Sequence, residues 1–383
     1  MRPAARAVLH VGFVLTGILT TLLGPILPTL SARWRLDDSQ AGFLFTAQFL
    51  GSLSGALLAG RIALRFGVRA TIAAGFAVGA AGVTVASVGP WIAGLGGVAA
   101  WGFGIGLIVP SVNLLVAEMN TGRRAAALNV LNFAWGLGAV AAPPAIAATL
   151  RIADLRPLLL TLAVLLAATA FAVLAIGEDA AAGEPVPAAP HMWSSSWIWL
   201  TGVFLFLYVG IENGLAGWMP SYATRVLRVP YSAMAAAQGG FWGAILGVRL
   251  LAPALLRRMA APMLIVGGLA LASLGMLLLL VSTAGWSLLV AALLAGAGLA
   301  AVFPTAVALF TERAGAQVAR VTGPVFAMSA LGGATIPWII GATSARFNSL
   351  RLALVVPLAC GLLMLAMQLR ETQQRRSLNL QSH

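Results

Sequence analysis

Apolar runs of about 20 residues, each long enough to cross a bilayer as a helix, alternate along this chain with short clusters of Arg, Pro, Gly and Asp. The pattern predicts spans near Ala7–Leu30, Gln40–Gly60, Ala70–Val88, Trp91–Ala117, Ala125–Leu150 and Pro157–Ile176. A polar break follows at Gly177–Ser196, with Glu178, Asp179, Glu184 and three prolines, and reads as a linker. Six further spans are expected near Trp197–Thr224, Ser232–Leu256, Ala261–Ser282, Trp286–Thr311, Gln317–Thr343 and Leu350–Leu369. The expected organisation is an N-terminal six-helix bundle over 1–177, a cytoplasmic linker over 178–196, a C-terminal six-helix bundle over 197–370 and a cytoplasmic tail over 371–383.

Composition supports this division. The chain is 60% hydrophobic and 9% charged, whereas a soluble domain is about 45–50% apolar and 25% charged. The net charge of +13 lies in small clusters between apolar runs, which marks topology and not a nucleic-acid surface. With a cytoplasmic N-terminus, 14 Arg fall on the inner side and 8 on the outer. That bias puts both termini and the linker in the cytoplasm, of a bacterial inner membrane. All 23 basic residues are Arg, so a P-loop lysine and a Schiff-base lysine are both excluded. The apolar start runs through Pro25 and Pro28 without a small-residue cleavage site and is read as a retained helix. The single Cys360 reads as a packed apolar thiol. His10, His191 and His383 all fall outside the spans, which argues against a buried nucleophile–His pair or a histidine metal cluster. No cofactor is expected.

The two halves repeat. A shift of 194 residues sets Gly102-Phe103-Gly104 on Gly296-Ala297-Gly298, Pro110 on Pro304, Ser111 on Thr305, Glu118 on Glu312, Gly138 on Gly332 and Pro143 on Pro337, without a gap. Parallel six-helix repeats are the pattern of a two-bundle secondary transporter with its site near the midplane. The fold class expected is an all-α membrane protein, twelve transmembrane helices in two bundles related by pseudo-two-fold symmetry.

Three stretches resemble the major facilitator superfamily. Gly60–Arg69, GRIALRFGVR, resembles its basic loop signature, with Leu64 where an acid normally precedes the central Arg. Leu128–Pro143, and the Tyr208-Val209-Gly210-x-Glu212 and Trp218-x-x-x-Tyr222 patterns, resemble the fucose permease-like branch, which includes proton-linked uptake systems for fucose, glucose and mannose. The resemblance implies the major facilitator fold and alternating access. It also sets two sugar-facing amide positions at Asn132 and Trp135, of which only the first keeps an amide. Acids frequent in spans 1 and 4 of that branch are absent here; span 1 offers Thr16, Thr20 and Thr21, and span 4 offers Asn113.

Glu212 is the only acid well inside an apolar segment. It lies 15 residues from Trp197, about 22 Å along a helix. A carboxyl at that depth is costly and marks function, here proton coupling or a hydrogen bond to a solute hydroxyl. Arg249 lies about 12 Å from the inner end of its span, so an ion pair with Glu212 would bridge a height difference of about 10 Å. The Gly247-Val248-Arg249 element favours an inter-helix latch. Glu118 and Glu312 occupy equivalent inner ends, with Arg123 and Arg65 near one and Arg313 and Arg257 near the other; such pairs, with Arg69 in the basic loop, suit a cytoplasmic gate. The polar and aromatic positions expected to line a sugar site are Gln48, Asn113, Asn132, Trp135, Asn213, Trp218, Tyr222, Gln238, Trp242 and Trp338; helix–helix hydrogen bonding and packing are the competing roles. Asp37, Asp38 and Ser39 are expected to cap span 2.

These features predict a secondary transporter of a small polar solute, a monosaccharide, moved by alternating access with proton symport. An exporter of amphipathic drugs or metabolites and an uncoupled facilitator are the alternatives on the same fold. The expected partners are the solute, protons and the lipid bilayer, with no nucleic acid and a monomeric chain.

Overall fold

The computed structural model describes residues 3–176 and 195–381, and every regular element in them is helical. The predicted linker therefore lies, apart from Ser195 and Ser196, outside the described residues. Two compact units are present, Met1–Val186 and Pro187–His383. The first holds α1 (Pro3–Thr21), α2 (Leu23–Trp34), α3 (Asp38–Phe66), α4 (Val68–Val88), α5 (Trp91–Glu118), α6 (Arg124–Thr149) and α7 (Leu155–Ala175). The second holds α8 (Ser196–Ser221), continued by a π-helical turn Tyr222–Val226, then α9 (Tyr231–Leu256), α10 (Ala261–Val281), α11 (Gly285–Ala300), α12 (Val302–Ala314), α13 (Val318–Phe347), α14 (Leu350–Ala353) and α15 (Val355–Gln381). Among the described residues, twelve helical segments are long and apolar enough to cross a membrane. α15 runs past the expected span end at Leu369 to Gln381. Large apolar side chains face outward, with Phe171 74% and Leu57 64% exposed, as a lipid-facing surface requires.

Three predicted spans are broken, and a proline follows each break; the twelfth divides at Leu354, where Pro357 leaves the Ala353 carbonyl without its helical donor. Pro25 has no N–H to offer Thr21, and α1 ends at Thr21 with α2 beginning at Leu23. Pro304 leaves the Ala300 carbonyl without its helical donor, and the tenth span divides at Ala301. At the start of α3, Asp37 accepts from Gln40 N at 2.7 Å while the Gln40 side chain accepts from Asp37 N at 3.1 Å. This reciprocal cap satisfies two otherwise orphaned donors.

The sequence repeat is carried by backbone packing. In the first unit α1 packs on α6, α3 and α4 on α5, and α4 on α7. In the second, α8 packs on α13, α9 and α10 on α11, and α10 on α15. Gly138 brings α6 against the Val14 carbonyl of α1, and Gly332 brings α13 against the Phe206 carbonyl of α8. A Cβ at either position would collide with backbone, which cannot rotate away. Gly332→Ala is expected to cost about 1–3 kcal/mol by overpacking, read as a lower melting temperature in detergent. Gly267→Ala, where nothing lies within 4 Å of the new Cβ, should be neutral or mildly stabilising.

Candidate functional site

Tyr208 and Glu212 stand one turn apart on α8 and so share a face. The Tyr208 hydroxyl donates to Glu212 Oε1 at 3.0 Å. Arg249, on α9, donates from Nη2 to the same oxygen at 3.2 Å. The Glu212 side chain is 14% exposed and that of Arg249 33%. The expected height mismatch is absent. Spanning helices tilt and a guanidinium sits at the end of a long stem, so residue counts from the two helix ends overstate the separation.

The cluster reaches a third helix. Arg249 Nε donates to the Ala300 carbonyl at 3.2 Å, the group that Pro304 deprives of its helical donor. The Tyr208 hydroxyl lies 3.1 Å from the neighbouring Leu299 carbonyl. Tyr208 also stacks, tilted, on Phe303 with ring centroids 5.2 Å apart. One carboxylate, one phenol and one guanidinium thus tie α8 and α9 to the break between α11 and α12. Tyr208 and these carbonyls were not among the residues expected at a site. The i, i+4 spacing from Glu212 signals the first, and Pro304 signals the second.

The first unit carries different chemistry at matching positions. The Val14–Gly138 and Phe206–Gly332 contacts align α1 with α8 at a step of 192 (206 − 14), which sets Thr16 and Thr20 opposite Tyr208 and Glu212. Their hydroxyls bond carbonyls of their own helix, Gly12 at 2.8 Å and Thr16 at 2.7 Å. Among the described residues, the ionisable cluster belongs to the second unit alone.

Several expected solute ligands make inter-helix hydrogen bonds. Gln238 is fully buried and its Nε2 donates to the Ala216 carbonyl at 2.8 Å, which Pro220 leaves without a helical donor. Gln48 is buried and donates to the Thr20 carbonyl at 3.0 Å, beside the break between α1 and α2. Trp218 is fully buried and its Nε1 donates to the Pro337 carbonyl at 2.8 Å. Tyr222 is fully buried, donates to the Leu279 carbonyl at 3.1 Å and lies 5.8 Å below the Arg351 guanidinium. Side chains of neighbouring helices that re-satisfy freed carbonyls are what let prolines stand inside membrane helices. Gln238→Met is therefore expected to lower thermal stability by about 1 kcal/mol while leaving solute affinity unchanged in a binding titration.

The remaining amides turn back on their own helices. Asn113 donates to Val109 O at 2.7 Å, Asn132 to Leu128 O at 2.8 Å and Asn213 to Val209 O at 2.9 Å. Asn213 is half-buried on α8, next in sequence to Glu212. Trp242 is buried against Phe241, edge to face at 5.4 Å; Trp135 and Trp338 are half-buried.

The expected gate pairs regroup. Glu118 pairs with Arg124 at 3.0 Å, not with Arg123 or Arg65. Arg124 opens α6 and points back across the short turn, whereas Arg65 lies over the Phe66 ring at 5.1 Å. Arg313 pairs with Glu371 at 3.9 Å and lies 5.0 Å above Trp197. Neighbours in sequence such as Glu312 and Arg313 do not face one another on a helix, and Glu312 has no ion pair among the described residues. Arg257 is exposed, and Arg69 donates to the Ile176 carbonyl. These exposed pairs contribute at most about 1 kcal/mol each.

The Major Facilitator Superfamily family model matches residues 9–337. No curated protein sequence gives a match to this chain. Among solved structures, the nucleoside transporter NupG, solved as a point mutant, superposes with a TM-score of 0.81 at 14% identity, over 96% of this chain and 98% of its own. A bacterial homologue of the human lysosomal transporter Spinster, inward-facing and unoccupied, gives 0.79 at 14% identity over 96% and 97%. A D-xylose–proton symporter gives 0.78 at 16% identity over 95% and 96%. At such identities the likeness is one of fold, the major facilitator fold over essentially the whole chain. With the family match spanning most of its length, this chain belongs to the major facilitator superfamily.

Proposed function

We propose that this chain is a proton-coupled symporter of a monosaccharide-sized polar solute, working by alternating access, with Glu212 as the proton carrier. The observation that carries the proposal is the Tyr208–Glu212–Arg249 cluster. A carboxyl 14% exposed, within the mostly apolar helix α8, is held by one hydroxyl and one guanidinium at 3.0 and 3.2 Å. Intramembrane carboxyls with a named partner are the usual proton carriers of transporters. Protonation removes the charge that binds Arg249. The guanidinium stays bonded to Ala300 O at the helix break, so a proton gained or lost at Glu212 is felt where α11 and α12 hinge. A bistable helix break biased by a local charge is a recognised means of switching.

The sugar-like solute rests on the resemblance to the fucose permease-like branch and on the fold shared with a D-xylose–proton symporter and a nucleoside transporter. The Arg distribution supports cytoplasmic termini in a bacterial inner membrane. Uptake of radiolabelled sugars into proteoliposomes tests the reading. Accumulation above equilibrium under an inward proton gradient, abolished by a protonophore, is expected; entry that stops at equal concentrations on the two sides would identify an uncoupled facilitator.

A further inference from the structure

We infer that the solute is anionic, a monosaccharide bearing a carboxylate such as a hexuronate, and that Arg249 is the group that receives it. The inference rests on the proposed proton coupling at Glu212. Arg249 is fixed along one side only. Nε donates to Ala300 O at 3.2 Å, and Nη2 contacts Glu212 Oε1 at 3.2 Å and the Tyr208 hydroxyl at 3.5 Å. Nη1 meets no acceptor among the described residues, and the side chain is a third exposed. On the other partner, Glu212 Oε2 likewise has no hydrogen bond among the described residues; both contacts go to Oε1. A planar guanidinium held at Nε, with Nη1 open and Nη2 released when Glu212 is protonated, is pre-organised to take a carboxylate.

Charge balance decides between an acid and a neutral sugar. Without solute, Arg249 and Glu212 sum to zero. If Glu212 takes a proton while a neutral sugar binds, the one-third-exposed cation remains within a membrane-spanning helix without a counter-charge, which costs free energy. If the solute brings a carboxylate, the proton goes to Glu212, the solute anion replaces Glu212 beside Arg249, and the sum is again zero. Proton and anion then each favour binding of the other, so neither travels alone.

Among the described residues, no other acid is bonded to the pair to supply the missing charge. The titratable and charged side chains described on the elements packed on α8 and α9 are Tyr222, Arg225, Tyr231, Glu312, Arg313, Arg346, Cys360, Arg370 and Glu371; Arg320, Arg375 and Arg376 also lie on these elements and are cationic. Arg313 and Glu371 pair with each other at 3.9 Å, Glu312 is exposed, and among the described residues Tyr208 and Arg249 are the side chains bonded to Glu212.

The test uses the purified full chain and three matched probe pairs: glucose with glucuronate, galactose with galacturonate, and mannose with mannuronate. Binding is read by thermal shift and titration calorimetry at constant ionic strength and several pH values. At least one acid is expected to bind where its parent sugar does not, and more tightly as pH falls. Glu212→Gln, which fixes the neutral state, should bind that acid at every pH about 5- to 150-fold more tightly than wild type at high pH, the usual span of coupling between two ligands. Arg249→Lys retains a cation but not the planar fork, and should bind it weakly while still folding. The inference is overturned if a parent sugar binds as well as its acid, if none of the three acids binds, or if Glu212→Gln weakens acid binding. Proton-driven uptake of a neutral sugar would sustain the symport reading while overturning the anion. Acid binding with the stated Glu212→Gln effect but no proton-driven uptake would sustain the anion site and overturn the symport.

Discussion

Glu212→Gln is expected to abolish proton-driven accumulation while sparing solute exchange. With one proton per solute, a pH difference of two units supports about 100-fold accumulation, since each factor of ten corresponds to about 1.4 kcal/mol. The variant should fall to equal concentrations inside and out. Gln matches Glu in shape and its carbonyl still accepts from Tyr208, which now donates at 3.0 Å, so the helices around it need not move. Counterflow, the exchange of labelled for unlabelled solute across the membrane, requires alternating access but no net proton movement, and should persist. Counterflow and accumulation lost together would mean that Glu212 holds the fold or binds solute and does not carry the proton.

The second large effect is on stability. Arg249→Ala removes both the counter-charge of Glu212 and the donor to the Ala300 carbonyl, bonds of 3.2 Å in each case. Breaking a buried ion pair from one side costs about 3–5 kcal/mol. The guanidinium is a third exposed, which places the expected loss near the lower end. Removing both partners, as in Arg249→Met with Glu212→Leu, leaves no unpaired charge. The double variant should therefore be more stable than Arg249→Met alone, a non-additivity that the cycle through Arg249→Met and Glu212→Leu measures by thermal unfolding in detergent. Additive losses would contradict a coupled pair.

As a major facilitator, the chain is a multi-pass membrane transporter. Much of that architecture is legible in residue order alone, because a bilayer permits few solutions. Apolar runs of spanning length must be helices, and the run of matches at one offset, Gly102 to Pro143 against Gly296 to Pro337, marks the repeat that close glycine contacts enforce in each unit. Depth also singles out Glu212, since charge inside a span is costly. The partners were less legible. Gln238, Gln48 and Trp218 read as sugar ligands by residue type, yet each donates to a backbone carbonyl of another helix. For Gln238 and Arg249 that carbonyl lies four residues before a proline, Pro220 and Pro304. The signal was present in those prolines, but which neighbouring helix answers each carbonyl depends on tilt and packing. The ion pairs at the helix ends differ from expectation for a related reason: residue order sets Glu118 near Arg65 and Arg123, and the local turn brings Arg124 to it.

Proton movement itself is the most direct measure of the central claim. Proteoliposomes loaded with a pH-sensitive dye, and given transported solute with no imposed gradient, should acidify inside as solute enters, one proton for each solute molecule. The Glu212→Gln protein should exchange solute without acidification. Solute entry into wild-type vesicles with no change in internal pH, or equal acidification by the Glu212→Gln protein, would contradict Glu212 as the proton carrier.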